Sequence, residues 1–171
     1  GQLAQALDHQ RQARARIAEI EIQLDQVGTL EQQHVDQMQV GELAQRQVER
    51  MLADESDGAA AQLRQLLAEL EHNHISSPDL QRQLGWLLSQ VEQMAREPLP
   101  AIRRELTEAL KQAQSALDAG DQAPDEVSSL LATTGQQQNE VVESLENLID
   151  ELARWDHYRR FARELTQIQD E

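Results

Sequence analysis

Leucine, isoleucine, valine and methionine recur at steps of three and four residues along most of this 171-residue chain. Ile17, Ile20, Leu24 and Val27 are the clearest example, because steps of three, four and three are those of a coiled-coil seam. No stretch alternates β-branched and polar residues as a strand does. The spacing therefore predicts an all-α fold, an elongated helical bundle with coiled-coil character.

Glycine, proline and serine residues divide this pattern into two long terminal helices and three shorter inner ones. The first helix is predicted over Leu3–Ala53. Its apolar stripe crosses Gly28, which favours a continuous or gently kinked helix, although Gly28 followed by Thr29 and Gln32 could also mark a stop and a new start. The last helix could be interrupted at Gly135. The other predicted helices are Ala59–His72, Pro78–Arg96, Pro100–Leu117 and a final helix from Pro124 to Ile168.

The length suits a single domain, so we expect residues 1–171 to form one helical-bundle unit. The chain begins with Gly1 rather than Met, which indicates a fragment of a longer protein. No apolar run approaches the roughly 20 residues that a membrane span needs, so direct membrane insertion of this fragment is not expected. Cysteine is absent, which excludes disulfides, thiolate metal sites and a cysteine nucleophile.

The net charge is −16, and this argues against nucleic acid and anionic membrane surfaces as partners. The pattern instead favours a protein partner, or self-association through helices. Carboxylates are distributed along the whole chain, and neither a nucleophile elbow nor a glycine-rich phosphate loop is present. The chain is therefore predicted not to be an enzyme, with no catalytic residues and no cofactor.

Glu-x-x-His units occur at Glu31–His34 and Glu71–His74, and Glu69 with His72 overlaps the second. Two such units with further glutamates on other helices are the ligand pattern of ferritin-like di-metal bundles. The final helix offers no unit of this kind, and His74 lies at a predicted helix end. We therefore predict no metal ligands. A helical sensor or ligand-binding bundle, and less favourably a ferritin-like metal-binding bundle, are the alternatives to a scaffold.

Aromatic residues make up 2% of the chain, and three of the four fall within seven positions, among arginines. Trp155 continues the apolar stripe of Leu145, Leu148 and Leu152, so we expect it to anchor the last helix in the bundle. Trp86 is the second expected structural anchor, near the middle of the bundle. Aromatic and arginine side chains are enriched at binding hot spots. The candidate partner contacts are Tyr158, Arg159, Arg160, Phe161 and Arg163.

Two segments resemble a family of large bacterial membrane-anchored coiled-coil proteins without an assigned function. The first is Leu152–Leu165, with the preceding Gln137–Val142 and Leu145-Glu146, and the second is Leu66–Asp79. The resemblance covers residues 40–170. It implies the extracytoplasmic helical part of a cell-envelope protein, and it carries no enzymatic residues. Together with the composition, it leads us to expect a structural or scaffolding module that mediates protein–protein interaction.

Overall fold

The computed structural model describes residues 1–74, 77–120 and 125–169, and all regular structure in these ranges is α-helix. The helices are α1 (Gln2–Val27), α2 (Gln32–Ala53), α3 (Ala59–His72), α4 (Pro78–Arg96), α5 (Pro98–Asp118) and α6 (Asp125–Gln169). The all-α prediction is confirmed. Pro124, and the side chains of Leu165 and Ile168, lie outside the described part of the chain.

The predicted continuous helix over Leu3–Ala53 is wrong, because the chain breaks after Val27. Gly28 adopts a left-handed conformation with φ of 69°, and its N–H donates to the carbonyl of Leu24 at 2.8 Å. Glycine favours this helix stop because it has no Cβ. The apolar stripe crosses the break because α1 and α2 turn back on each other and bury their apolar faces in one core.

Helix α6 continues through Gly135 and has 45 residues, about 68 Å at 1.5 Å per residue. Gly135 does not end the helix but makes room for close packing against α1. A Cβ at this position would lie 3.0 Å from the guanidinium of Arg14 and 3.0 Å from Oε1 of Glu21. These two α1 side chains form an ion pair at 3.4 Å. The glycine therefore allows α1 to approach α6 with this pair between them.

Four helices, α1, α2, α5 and α6, form an antiparallel bundle in which each helix packs on the next and α6 closes back on α1. Helices α3 and α4 form a hairpin inserted between α2 and α5. The ion pair Arg103–Glu49 (2.8 Å) joins α5 to the last part of α2, and Arg64–Glu92 (2.8 Å) joins α3 to α4. Glu97 alone separates α4 from α5.

The core consists of aliphatic side chains from all six helices, and none of the four aromatic residues is buried in it. Each fully buried Leu, Ile or Met contributes about 1.5–3 kcal/mol relative to exposure. The largest buried apolar side chains are Ile17, Ile20, Leu30, Met38, Leu52, Leu99, Ile102, Leu106, Leu131, Leu145 and Leu148. The bundle is thus closed without its aromatic residues, which leaves them available at one end.

Candidate functional site

The two tryptophans meet where α4 packs against α6. The ring centroids of Trp86 and Trp155 are 5.8 Å apart with an interplanar angle of 69°, an edge-to-face pair. Trp155 is half-buried, and its Nε1–H donates to Oε1 of Glu151 at 2.9 Å. Trp86 is 41% exposed, so it does not lie near the middle of the bundle as expected. This happens because the α4–α6 contact lies at the edge of the hairpin, outside the four-helix core.

The residues predicted as partner contacts all lie on the surface of α6 beyond this tryptophan pair. Tyr158 is 76% exposed and Phe161 is 55% exposed, and the arginines at 159, 160 and 163 are exposed as well. Exposure of large aromatic side chains to water is unfavourable, and a surface where several of them lie together often marks an interaction site. We call the group the aromatic–arginine surface; it comprises Trp86, Trp155, Tyr158, Arg159, Arg160, Phe161 and Arg163.

A cleft of about 610 Å³ lies within this surface, between the first half of α4 and the second half of α6. On α4 it is lined by side chains between Ser77 and Trp86, and on α6 by side chains between Glu151 and Arg159. Both tryptophans and Tyr158 contribute to its walls. The cleft therefore combines an apolar floor with charged groups at its rim, the usual composition of a protein-binding patch.

Residues 154–163 form a short basic segment on an acidic chain, between the carboxylates of Glu151 and Glu164. Residues 154–163 contain four arginines and one aspartate, a net charge of +3 in a chain whose total is −16. Two of these arginines have partners: Arg154 pairs with Glu151 at 3.4 Å and Arg160 with Asp156 at 3.0 Å. Arg159 and Arg163 form no ion pair with any residue that the structure describes. Their charges remain available to a partner.

The Glu31–His34 unit starts α2. The backbone N–H of Glu31 donates to Nδ1 of His34 at 2.9 Å, which is one half of a capping box. His34 is buried, with no partner for its Nε2 among the described residues. His72 lies in the last turn of α3, and His74 follows that helix with φ of 51°. No group of three His, Asp or Glu side chains suited to a metal ion occurs in the described ranges.

A layer of buried glutamines crosses the middle of the bundle, and the predictions from sequence missed it. Gln10 and Gln45 exchange reciprocal amide hydrogen bonds at 2.9 and 2.8 Å, and Nε2 of Gln138 donates to Oε1 of Gln45 at 3.2 Å. All three are at most 2% exposed. One signal could have found Gln138: the buried positions of α6 follow steps of four and three, and this series includes residue 138. The series is Val127, Leu131, Thr134, Gln138, Val141, Leu145 and Leu148.

Among the residues that the structure describes, three carboxyl groups have shifted pKa values. Burial raises the pKa of Glu105 against hydrogen bonds from Thr134 and Gln137, and burial raises the pKa of Glu21 against the charge of Arg14. Asp54, in the α2–α3 link, has a pKa lowered from 3.8 to about 2, chiefly by the Ser56 hydroxyl and then by backbone N–H groups.

These shifts predict a stability optimum on the acidic side of neutrality. A raised carboxyl pKa means that the folded state binds the proton more tightly, so the free energy of unfolding increases as the pH falls from neutral toward the ordinary carboxyl value of 4.5. Asp54 acts in the opposite direction: its contribution is present above pH 3.8 and is lost as the pH falls toward about 2. Relief of the repulsion at net charge −16 adds to the first effect.

Melting temperatures measured across this pH range check the prediction. Glu105→Gln should flatten the rise in melting temperature as the pH falls from neutral to 4.5, because one titrating group is removed. Asp54→Asn should reduce the dependence on pH below 3.8, since the amide cannot be protonated there. A melting temperature that falls steadily from neutral pH to 4.5 would contradict the assignment of raised pKa values to Glu21 and Glu105.

No helix in the described ranges has the length and apolarity needed to cross a bilayer. The chain was also compared with known proteins. No protein-family model, no curated protein and no solved structure matches it.

Proposed function

We propose that this chain is a structural or scaffolding helical module that binds a protein partner through the aromatic–arginine surface. The observation that carries the proposal is the position of its aromatic residues. The core closes without any aromatic ring of Trp, Tyr or Phe, while Trp86, Tyr158 and Phe161 are exposed at one end. Side chains of this kind contribute most of the binding energy in protein interfaces.

The rest of the molecule supports a mechanical role better than a chemical one. The cleft between α4 and α6 is open and its rim groups are arginine, aspartate and glutamate, which suits contact with another polypeptide. The long α6 helix runs from the four-helix bundle to this surface, and it would hold the surface at a fixed distance from the bundle. The resemblance to membrane-anchored coiled-coil proteins agrees with such a display role.

Affinity capture with the purified chain as bait tests the proposal. Tyr158→Ala combined with Arg159→Ala should retain full helicity, because both side chains are exposed, and should lose the proteins captured by the unmodified chain. Ile22→Ala combined with Arg16→Ala is the matched control, since it removes an exposed apolar residue and an exposed arginine from α1. If both variants retain the same proteins, the aromatic–arginine surface is not the contact.

A further inference from the structure

We infer that the partner at this surface is an amphipathic α-helix with acidic flanks, which lies along the cleft between α4 and α6. This inference rests on the proposed function and specifies the chemistry of the partner. Three properties of the surface lead to it: the shape of the cleft, the charges at its rim and the cost of placing a second copy of the chain there.

The cleft has the dimensions of a short helical docking groove. Its walls extend from Ser77 to Trp86 on α4 and from Glu151 to Arg159 on α6. At 1.5 Å per residue each wall is about 12–14 Å long, or two to three helical turns. A groove between two helices receives a third helix through anchors at positions i, i+3 or i+4, and i+7. Such anchors would contact the apolar floor formed by the two tryptophans and Leu80.

The charges at the rim favour an acidic flank at the α6 end of the cleft, because the two carboxylates in the lining, Asp79 and Glu151, already pair with Arg82 and Arg154. Arg159 lines the cleft and Arg163 lies one helical turn beyond it, and both are exposed without an ion pair to a described carboxylate. Arg82 lies on the opposite wall and pairs with Asp79. Carboxylates on one side of a docked helix would reach Arg159 and Arg163, whereas lysines there would be repelled. An acidic helix approaching from the end of α6 would also stay clear of the acidic bundle.

Two copies of the chain are poorly suited to pair through this surface. A two-fold interface brings each patch against the same patch, so the arginines of one copy would approach those of the other. The two chains, each with a net charge of −16, would repel as well. Nucleic acid would meet the same acidic field, which opposes a polyanion over most of the molecule. A single acidic helix is small enough to contact the cleft and the arginines of residues 154–163 without contacting the four-helix bundle.

Synthetic peptides with a leucine stripe at helical spacing provide the probe. In one peptide all other positions alternate glutamate and alanine; in the second, lysine replaces each glutamate; in the third, serine replaces each leucine. Both tryptophans of the chain line the cleft, so intrinsic fluorescence reports occupancy directly. We expect the glutamate–leucine peptide alone to shift the emission to shorter wavelength and to saturate. Added salt should weaken its binding.

Arg159→Glu should weaken binding of the glutamate–leucine peptide about tenfold or more, the size expected for reversal of a rim charge near a partner carboxylate. Arg16→Glu, an equal charge change at an exposed site on α1, should leave the affinity unchanged. Tyr158→Ala should also weaken binding, and its 76% exposure means that the fold is retained.

Four other results of these binding experiments would contradict parts of the inference. Tighter binding of the lysine peptide would overturn the acidic preference and leave the docking surface in place. Absence of binding by all three peptides would overturn the helical partner, while the capture experiment with Tyr158→Ala and Arg159→Ala decides the proposed function independently. A concentration-dependent dimer in sedimentation that Tyr158→Ala abolishes would show that a second copy occupies the surface. Binding of a single-stranded oligonucleotide that depends on Arg159 would also contradict the inference.

Discussion

Gln45→Leu is expected to lower the free energy of unfolding by about 2–4 kcal/mol. Gln45 accepts hydrogen bonds from both Gln10 and Gln138, and its own amide donates to Gln10. Leucine at this position leaves the amides of two buried glutamines without a partner in the middle of the core. The cost therefore comes mainly from the stranded neighbours, since leucine itself suits a buried position. Chemical denaturation followed by circular dichroism measures it.

A triple variant separates this explanation from a simple packing defect. Replacement of Gln10, Gln45 and Gln138 together by leucine removes every stranded amide, and its stability should equal or exceed that of the unmodified chain. Gln39→Leu, at an exposed position of α2, is the control for the substitution itself and should be nearly neutral. If Gln45→Leu is neutral while the triple variant is destabilised, the glutamine layer is not a coupled network.

Gly58→Ala is expected to destabilise the α2–α3 link by about 1–3 kcal/mol, the usual cost of overpacking. A Cβ on Gly58 would lie 2.6 Å from both the backbone N and the backbone O of Asp54. Backbone atoms cannot rotate away as a flexible side chain can, so the link itself must shift. The carboxylate of Asp54 holds that link through hydrogen bonds from the N–H groups of Ser56 and Asp57. Thermal denaturation gives the size of the loss.

Gly85 offers a matched control in the interior of α4. Apart from the adjacent residues and the backbone of its own helix, no heavy atom lies within 4 Å of the position that its Cβ would occupy, and its φ is not in the left-handed region. Gly85→Ala should therefore stabilise the protein by about 0.5–1 kcal/mol, because alanine is the better helix former. Equal effects of Gly58→Ala and Gly85→Ala would contradict the steric explanation.

Much of the helical architecture follows from the sequence, because apolar spacing and helix caps act locally. The observed bounds of α3 and α4 are the predicted Ala59–His72 and Pro78–Arg96, where glycine, serine and proline end the pattern clearly. The break at Gly28 was the less favoured of two alternatives, since the stripe continues on both sides of it. The spacing of apolar residues indicates only which helix face is buried. Two antiparallel helices that pack in one core therefore show the same spacing as one long helix.

The site was predictable only in part. The grouping of Trp155, Tyr158 and Phe161 is a property of neighbouring residues on one helix, so sequence reveals it. The contact of Trp86 with Trp155 depends on how α4 packs on α6 across nearly seventy residues of sequence, and spacing along one helix cannot indicate it. The glutamine layer was missed for a chemical reason. Glutamine is usually a surface residue, and its burial here depends on partners from three different helices.

In the topology of the fold, the α3–α4 hairpin is inserted between α2 and α5 of the four-helix bundle. The last turns of α2 and the first turns of α5 already lie side by side, as the Arg103–Glu49 pair shows, so a tight connection could close the four-helix frame without residues 54–97. One wall of the tryptophan cleft belongs to that inserted segment and the other to the frame. Under the proposed function, changes on the exposed face of the hairpin would therefore alter partner binding, whereas its buried side chains, such as Leu87 and Val91, pack in the same core as the frame.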